Sequence, residues 1–335
     1  MSLLPGKIPK ELLEKVVFRH LGAKRKEVAL GPLAGFDGAV LDIGDYSLIV
    51  STDPITGAVE RIGWLAVNVN ANDVATFGVE PAFMLSCIML PEKADRNMVE
   101  TISNQMDKAA KALGMAIVGG HCETTPRLSN PIVVGSAIGI AAKGKYVTAG
   151  GAEKGDKLLL TKTAGIEGTA ILALDREKQL KNSIGFRTIR KAQEFYKQIS
   201  IVKEAITAFK TGEVHAMHDP TEGGVAGGIH EMADASHLGV MVFEESIPMA
   251  PETVEICRFF KIDPLQLVAS GSLLIASSRD SAEEIIHTLG KSGIQAVAIG
   301  EFLPSPERRL VKCKNGKVKK LVRPVNDHLW LALKR

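Results

Sequence analysis

The hydrophobic pattern changes repeatedly between helical and strand periods, which predicts a mixed α/β protein. In the first half, apolar positions at helical spacing predict an amphipathic helix at 9–21 and a second helix at 62–76. A third helix is predicted from an N-cap at Asp95 to a stop at Gly114. Short apolar runs predict strands at 39–41, 47–50, 82–90, 115–118 and 132–142.

The second half has the same alternation of strands and helices. Strands are predicted at 157–161, 240–243, 272–276 and 296–300, and helices at 165–174, 188–210, 221–235 and 281–289. Between the halves, the stretch 143–157 is rich in glycine and lysine, which favours a domain boundary near residue 152. We therefore expect two α/β domains of similar size, 1–152 and 153–335.

Composition and charge narrow the choice of partners. The 335 residues carry a formal net charge of +3 and only 5% aromatic side chains, so we expect no nucleic acid partner. The four cysteines are widely separated, without the paired spacing of a zinc site or a disulfide framework, and therefore fit a reducing compartment. No uncharged apolar run approaches membrane-spanning length, so we expect a cytoplasmic protein without a membrane partner.

Three aspartates lie where predicted strands and helices meet loops. Asp37 follows a glycine-rich loop, Asp53 is followed by a proline, and Asp73 lies in the second predicted helix. Carboxylates at such positions can bind a hard cation such as Mg²⁺, which prefers oxygen ligands and bound phosphates. Each aspartate alone is explained equally by the preference of this residue for turns and caps.

The segment GGHCET (119–124) directly follows a predicted strand. Gly119 and Gly120 would allow backbone N–H groups to approach a phosphate, and His121 or Glu123 could reach a metal or a nucleotide. A tight turn would account for the two glycines as well. The sequence therefore marks this segment as a candidate binding site but does not choose between a phosphate, a metal and a nucleotide as its ligand.

The segment HDPTEGGVAGG (218–228) predicts a helix with Asp219 as N-cap and Pro220 as the first helical residue. Four glycines within this helix would cost roughly 3 to 4 kcal/mol relative to alanine. Such glycines expose the backbone to a ligand or to a neighbouring helix, and the helix start favours anions. The segment around Lys162 has a similar strand-to-helix pattern and could hold an anionic substrate.

Together these segments resemble the superfamily that contains aminoimidazole ribonucleotide synthetase (PurM), the hydrogenase maturation protein HypE, thiamine-monophosphate kinase and selenophosphate synthetase. The resemblance extends from about residue 30 to 300. It rests on the ordered motifs GFDGAV (35–40), STD (51–53), GWLA (63–66), NDVA (72–75), GGHCET (119–124), KTAGIEGTA (162–170) and HDPTEGG (218–224). Motifs that occur together in this order are more specific than any one of them.

The resemblance implies a two-domain PurM-like fold that binds ATP and Mg²⁺. Its N-terminal domain would pair with a second copy to form a β-barrel-like homodimer core, beside a C-terminal α/β domain. The implied metal ligands are Asp37, Asp53, Asp73 and Asp219. The implied nucleotide contacts are Gly35, Asp37, Gly38, Asn72, Gly119, Gly120, His121, Thr124, Gly223 and Gly224, and the catalytic candidates are His121, Glu123 and Lys162.

Among these families the motifs are most similar to HypE, notably HDPTEGG and the strand SGSLLIA (270–276). HypE activates a carbamoyl group on its own C-terminal cysteine, whereas this sequence has no cysteine after Cys313, which argues against the full HypE reaction. The first motif also has a single acid, Asp37, because Gly38 takes the second place. The absence of an N-terminal cysteine in the glycine-rich segment disfavours selenophosphate synthetase.

We therefore expect an enzyme that uses Mg-ATP to phosphorylate an oxygen, on an amide-type carbonyl or a phosphate, of a small or carrier-bound substrate. One alternative is a nucleotide-binding maturation or scaffold protein without catalysis. Another is aminoimidazole ribonucleotide synthetase or thiamine-monophosphate kinase activity.

Overall fold

A computed structural model describes residues 4–334 and contains two β-sheets, each packed against helices. The first sheet has the spatial order β1-β2-β3-β6-β4-β5 and is antiparallel except for the β4/β5 pair. Its strands are β1 (Val28–Leu30), β2 (Ala39–Ile43), β3 (Tyr46–Ile55), β4 (Pro81–Leu90), β5 (Ala116–Thr124) and β6 (Ile132–Ala142). Helices α1 (Lys10–Lys15), α2 (Ile62–Ala75) and α3 (Arg96–Leu113) belong to the same half of the chain.

The second sheet has the order β13-β12-β9-β11-β7-β10-β8, and only its β9/β12 pair is parallel. Its strands are β7 (Lys157–Thr161), β8 (Val214–His218), β9 (Gly239–Phe243), β10 (Leu274–Ser277), β11 (Ala296–Leu303), β12 (Arg309–Lys312) and β13 (Val318–Lys320). Its helices are α4 (Ile166–Asp175), α5 (Glu177–Leu180), α6 (Phe186–Gln193), α7 (Val202–Phe209), α8 (Gly224–Ala235), α9 (Pro251–Phe260), α10 (Arg279–Lys291) and α11 (His328–Leu333).

Helix α2 connects the two halves of the molecule. It is buried along almost its whole length, between the first sheet and α3, with further contacts to α7. The Asn72 amide donates to the carbonyl of Ile199 and accepts from the N–H of Ile201, both at 2.8–2.9 Å. These bonds satisfy a polar group that would otherwise be costly to bury, and they fix α2 against the second half of the chain.

Several predicted elements are confirmed. Asp95 caps α3 by accepting from the N–H of Met98 at 2.9 Å, and Gly114 ends that helix in the left-handed conformation. Strands β6 and β7 have the predicted bounds.

Other predictions need correction. Helix α1 is only six residues long, shorter than the helix predicted at 9–21, and Val16 and Val17 after it are each 48% exposed. Consecutive β-branched residues disfavour continuation of the helix at this point. The single helix predicted at 188–210 is divided into α6, a 3₁₀ segment and α7. Strand β5 extends beyond its predicted end at 118 and includes Gly119 and Gly120, which excludes the alternative of a tight turn at these glycines.

The start of α8 also differs from the prediction. Asp219 is not its N-cap, because the helix begins at Gly224, and Gly223 in the left-handed conformation takes the cap position. Left-handed φ values at Gly223 and Gly224 place a turn between Asp219 and the helix. An alanine Cβ at Gly224 would lie 2.5 Å from the Leu267 carbonyl oxygen, so close packing accounts for this glycine.

Candidate active site

The best-defined polar group in the protein forms where the glycine-rich loop of the first half meets the end of β8. Asp37, His218 and Asp219 each place a ligand atom within 4.8 Å of the others. The loop can approach because Gly35 lies against the backbone of α8, where an added Cβ would be 3.1 Å from the Glu231 carbonyl oxygen. Gly38 lies similarly close to β3, since an added Cβ would be 2.9 Å from the Val50 carbonyl oxygen.

Asp53 on β3 and Asp73 on α2 lie close enough to this group to interact with it electrostatically. The backbone N–H of Asp53 donates to the Asn70 side chain at 2.9 Å, and Ser51 donates to the Asp73 carboxylate at 2.5 Å. Burial and the negative charge of Asp37 raise the pKa of Asp53 to about 6, although the positive charge of Lys7 acts to lower it. Burial and the negative charges of Asp53 and Asp219 raise the pKa of Asp73 well above its ordinary value. The four aspartates of the two halves therefore influence one another electrostatically; we call them the carboxylate cluster.

Asp219 is the least satisfied member of the carboxylate cluster. It is fully buried, and neither of its carboxylate oxygens has a hydrogen-bond partner among the described residues. Burial, together with the charge of Asp37, raises the pKa of Asp219 well above its ordinary value. A buried carboxyl without partners is costly unless a cation or a proton neutralises it. Oxygen ligands in this arrangement fit the preference of Mg²⁺.

His218 is a cationic support of the cluster and not a free ligand. Its Nδ1 lies 2.9 Å from Asp37 Oδ2 and its Nε2 lies 2.9 Å from Glu231 Oε2. Although burial opposes protonation, the two carboxylates raise the pKa of His218 to about 10. Both ring nitrogens of the imidazolium are therefore donors, which fixes the orientation of Asp37.

A cavity of about 350 Å³ opens beside the carboxylate cluster, and Asp53 lies in its wall. The wall combines apolar side chains with the acids Glu167, Glu222 and Asp327. Burial and the charges of Asp327, Glu222 and Asp53 outweigh the effect of Ser270 and raise the pKa of Glu167 to about 7. Burial also raises the pKa of Asp327 to about 6. The cavity is therefore an acidic cleft next to the candidate metal site.

Sequence reasoning missed four groups that line or support the site: Lys7, Glu167, Glu222 and Glu231. Glu167 and Glu222 lie within the motifs KTAGIEGTA and HDPTEGG, so the sequence could have indicated them as site residues. Lys7 and Glu231 are separated by 224 residues and come together only through the fold. No local pattern in the sequence could have paired them.

The glycines predicted to contact a nucleotide have different surroundings. Gly35 and Gly38 lie next to Asp37 in the site loop, as described above. The N–H of Gly223 is bonded at 2.6 Å to the carboxylate of Asp327, just before the C-terminal helix α11. Asn72 is bonded to backbone groups of the second half, so its amide serves the contact between the two halves.

Strand β5 is exposed along its whole length at one edge of the first sheet. His121 Nε2 lies 3.2 Å from Glu123 Oε2, and Thr125 donates to the same carboxylate at 3.0 Å. Gly120 is required by close packing, since an added Cβ would lie 1.9 Å from the Ser86 carbonyl oxygen. Among the residues that the structure describes, no hydrogen bond or ion pair joins His121, Glu123 or Thr124 to the carboxylate cluster.

Lys162 is held in place by neighbouring groups of the second half. Its ammonium contacts Glu204 at 2.5 Å and donates to the carbonyls of Gln198 and Ser200, each at 2.8 Å. Burial, partly opposed by Glu204, lowers the pKa of Lys162. Because three acceptors already surround this ammonium, its contacts hold neighbouring segments of the second half together.

Comparison with known proteins agrees with this arrangement of two halves. The model of the AIR synthase related protein N-terminal domain matches residues 35–141, and that of the C-terminal domain matches residues 153–312. The chain belongs to the AIR synthase related family. The motifs that suggested this superfamily thus lie within the matched residues.

Relatives within the family include hydrogenase maturation proteins. A putative hydrogenase expression/formation protein of Methanocaldococcus jannaschii is 28% identical over 301 residues, which cover 86% of each chain. The carbamoyl dehydratase HypE of Escherichia coli K12 is 28% identical over 266 residues, covering 77% of this chain and 75% of HypE.

Solved structures of the family share the fold. A HypE–HypF complex gives a TM-score of 0.76 at 23% identity and covers 93% of this chain and 99% of that one. A ThiL complexed with AMPPCP and TMP gives 0.74 at 20% identity, covering 97% and 99%. A HypE in complex with ATP gives 0.69 at 22% identity, covering 97% of both chains. The predicted two-domain PurM-like fold is confirmed, and within residues 4–334 every helix is too short or too polar to cross a bilayer.

Proposed function

We propose that this family member binds Mg-ATP at the carboxylate cluster and transfers the terminal phosphoryl group to an oxygen of a second substrate. The observation that carries the proposal is Asp219, a fully buried carboxylate without a hydrogen-bond partner among the described residues. It faces Asp37 across the junction of the two halves. A divalent cation between them would remove the cost of burying these acids and would bind phosphate oxygens at the same time.

Asp37, Asp53, Asp73 and Asp219 would hold the metal, which supplies charge neutralisation for the phosphates. The chain itself contributes orientation. His218 fixes Asp37 through a bond to each ring nitrogen, and Ser51 fixes Asp73. The glycine-rich loop at 31–38 and the turn at 223–224 offer the close backbone approach that a polyphosphate needs. Relatives of this fold solved with ATP and with AMPPCP support a nucleotide in this family.

The acidic cavity favours a carbonyl-type acceptor over a phosphate. Of the wall residues within 4–334, Lys7 is the single basic one, and the acids are Asp53, Glu167, Glu222 and Asp327. A phosphate acceptor would add negative charge to a cleft that already holds the nucleotide. An amide-type carbonyl adds none, and the relatives named carbamoyl dehydratase agree with this choice. We propose an amide-type acceptor on a small molecule or a carrier protein.

We further propose that residues 1–152 form the nucleotide-binding and dimerisation domain and residues 153–335 the second domain. Two copies would join through the exposed face of the first sheet, as a homodimer. A catalytically silent maturation scaffold remains the competing function, because nucleotide binding alone would satisfy the carboxylate cluster.

Calorimetry and a turnover assay test the proposed function. We expect the wild-type protein to bind Mg-ATP and to release ADP, alone or with an amide-type substrate. Asp53→Asn and Asp73→Asn should lower turnover by about a hundredfold or more, because the cation loses a charged ligand. Asp107→Asn is the matched control, since Asp107 lies on the surface of α3 and pairs with Lys111.

The outcomes separate the competing functions. Full turnover in both Asp53→Asn and Asp73→Asn would remove the site assignment. Tight binding of Mg-ATP without ADP formation across a panel of amides, aminoimidazole precursors and thiamine monophosphate would favour the scaffold. Absence of any nucleotide binding by the wild type would contradict both functions.

A further inference from the structure

Residues 6 and 7, just before α1, lie in the wall of the acidic cavity. Gly6 and Lys7 are part of the cavity wall, together with Glu222 and Trp330. The backbone N–H of Lys7 donates to Glu222 Oε2 at 2.6 Å. Gly6 has φ +105, and an added Cβ would lie 2.5 Å from the same glutamate oxygen. The backbone of this segment is therefore fixed at the cavity independently of the lysine side chain.

The ammonium of Lys7 points toward acids of both halves. It lies 3.5 Å from Glu231 Oε1, and the side chain is 49% exposed. Although desolvation opposes it, the charges of Glu231, Asp53 and Asp37 raise the pKa of Lys7. The group is thus cationic near neutral pH, and its 3.5 Å contact with Glu231 is the one ion pair that it makes within the described part of the chain.

The excess of acidic over basic side chains in the cavity wall makes the Lys7 ammonium important for binding an anion. Among the described residues, the cavity wall contains four acids and no basic residue other than Lys7. Lys162 is bound to Glu204 and two carbonyls, and His218 already donates to two carboxylates. A nucleoside triphosphate carries several negative charges, and metal ions alone would have to offset both these and the wall acids. Lys7 is the available protein cation.

We propose that Lys7 contacts the terminal phosphate of the bound nucleotide, leaving Glu231 when the nucleotide enters. This inference rests on the proposed function, because it takes a nucleoside triphosphate as the ligand. The simpler interpretation is an exposed ion pair with Glu231, and such pairs contribute little to stability. The two interpretations differ in what they predict for nucleotides of different phosphate number.

The test measures affinities for Mg-AMPPCP and Mg-ADP by calorimetry in the wild type, Lys7→Ala, Lys7→Arg and Lys10→Ala. We expect Lys7→Ala to weaken AMPPCP binding by about 10- to 100-fold, as for the loss of a charge-assisted hydrogen bond, and ADP binding much less. Lys7→Arg should restore part of the preference for AMPPCP. Lys10→Ala, which removes a lysine at the start of α1 that pairs with Glu14 and Asp234, should leave both affinities unchanged.

Each outcome has one meaning. If the wild type binds neither nucleotide, the proposed function fails, and the inference fails with it. If the wild type binds both and Lys7→Ala keeps the wild-type ratio of affinities, the proposed function stands and the role of Lys7 is overturned. An equal loss for AMPPCP and ADP would also overturn it, since that result indicates a general effect on the cavity. Thermal unfolding curves show whether each variant is folded.

Discussion

At the scale of single residues, the buried acids of the site differ in how they are satisfied. Asp73 accepts a hydrogen bond from Ser51, and Asp37 has the imidazolium of His218 beside it, whereas Asp219 has neither kind of partner among the described groups. The difference identifies Asp219 as the acid whose cost of burial a bound cation would reduce most. The predicted role of Asp219 as a helix cap is wrong, because α8 begins only at Gly224.

Glu167 gives a prediction for the pH dependence of stability. Burial raises its folded-state pKa from 4.5 to about 7, so the folded protein holds the proton more tightly than the unfolded chain. Its contribution is complete below pH 4.5 and is lost as the pH rises from 4.5 through 7. Glu167→Gln, which resembles the protonated acid, should equal the wild type near pH 4. At pH 8 it should be more stable, by on the order of 3 kcal/mol.

Urea unfolding at a series of pH values, without added metal, measures this difference. The groups that act on Glu167 are Asp327, Glu222 and Asp53, together with Ser270. They are present in both proteins, so the difference curve isolates position 167. A constant difference between pH 4 and pH 8 would show that the carboxyl does not change its charge on its own in this range.

At the scale of secondary-structure elements, the sequence predicted correctly those strands and helices whose two ends are marked by nearby residues. Asp95 and Gly114 mark both ends of α3, and the alternating pattern of β6 was sufficient to give its bounds. The failures occur where long-range packing decides. Gly119 and Gly120 continue β5 because the strand must pass close to Ser86, and the start of α8 is delayed because Gly224 packs against the segment at 265–267. Neither neighbour is adjacent in the sequence.

The contact between α2 and α3 supplies a prediction about glycine. At Gly63, an added Cβ would lie 2.4 Å from the Ile102 carbonyl oxygen and 3.1 Å from Met106 Cγ. Gly63→Ala should therefore destabilise the protein by about 1–3 kcal/mol through overpacking. Gly290→Ala is the matched control in α10, because its added Cβ meets nothing within 4 Å, and it should stabilise by up to about 1 kcal/mol.

Denaturant unfolding followed by tryptophan fluorescence reports on this contact, since Trp64 lies in α2 next to Gly63. Equal changes in the free energy of unfolding for Gly63→Ala and Gly290→Ala would mean that α2 and α3 are farther apart in solution than in the structure.

At the scale of the whole molecule, the first sheet leaves one broad apolar face uncovered. Side chains on one side of β3, β4 and β6 pack on the helices, while those on the other side are exposed. Strand register places the exposed group on a common face, namely Ile43, Tyr46, Phe83, Leu85 and Ile140, at 38–58% exposure. A contiguous apolar surface of this kind is typical of a protein interface. This outer face is the surface on which the proposed homodimer depends.

A charge introduced in the outer face should separate the two copies. Leu85 lies in the outer face, on β4 between β5 and β6, so Leu85→Glu would place an unpaired carboxylate in the apolar interface. We expect sedimentation velocity to give twice the 35.9 kDa chain mass for the wild type and the single chain mass for Leu85→Glu. Val325→Glu is the control, because Val325 is 89% exposed and lies outside the first sheet. A wild-type monomer at micromolar concentration would contradict the dimer. A Leu85→Glu protein that stays dimeric would show that the copies meet through another surface, since the substituted side chain then remains in water at no cost.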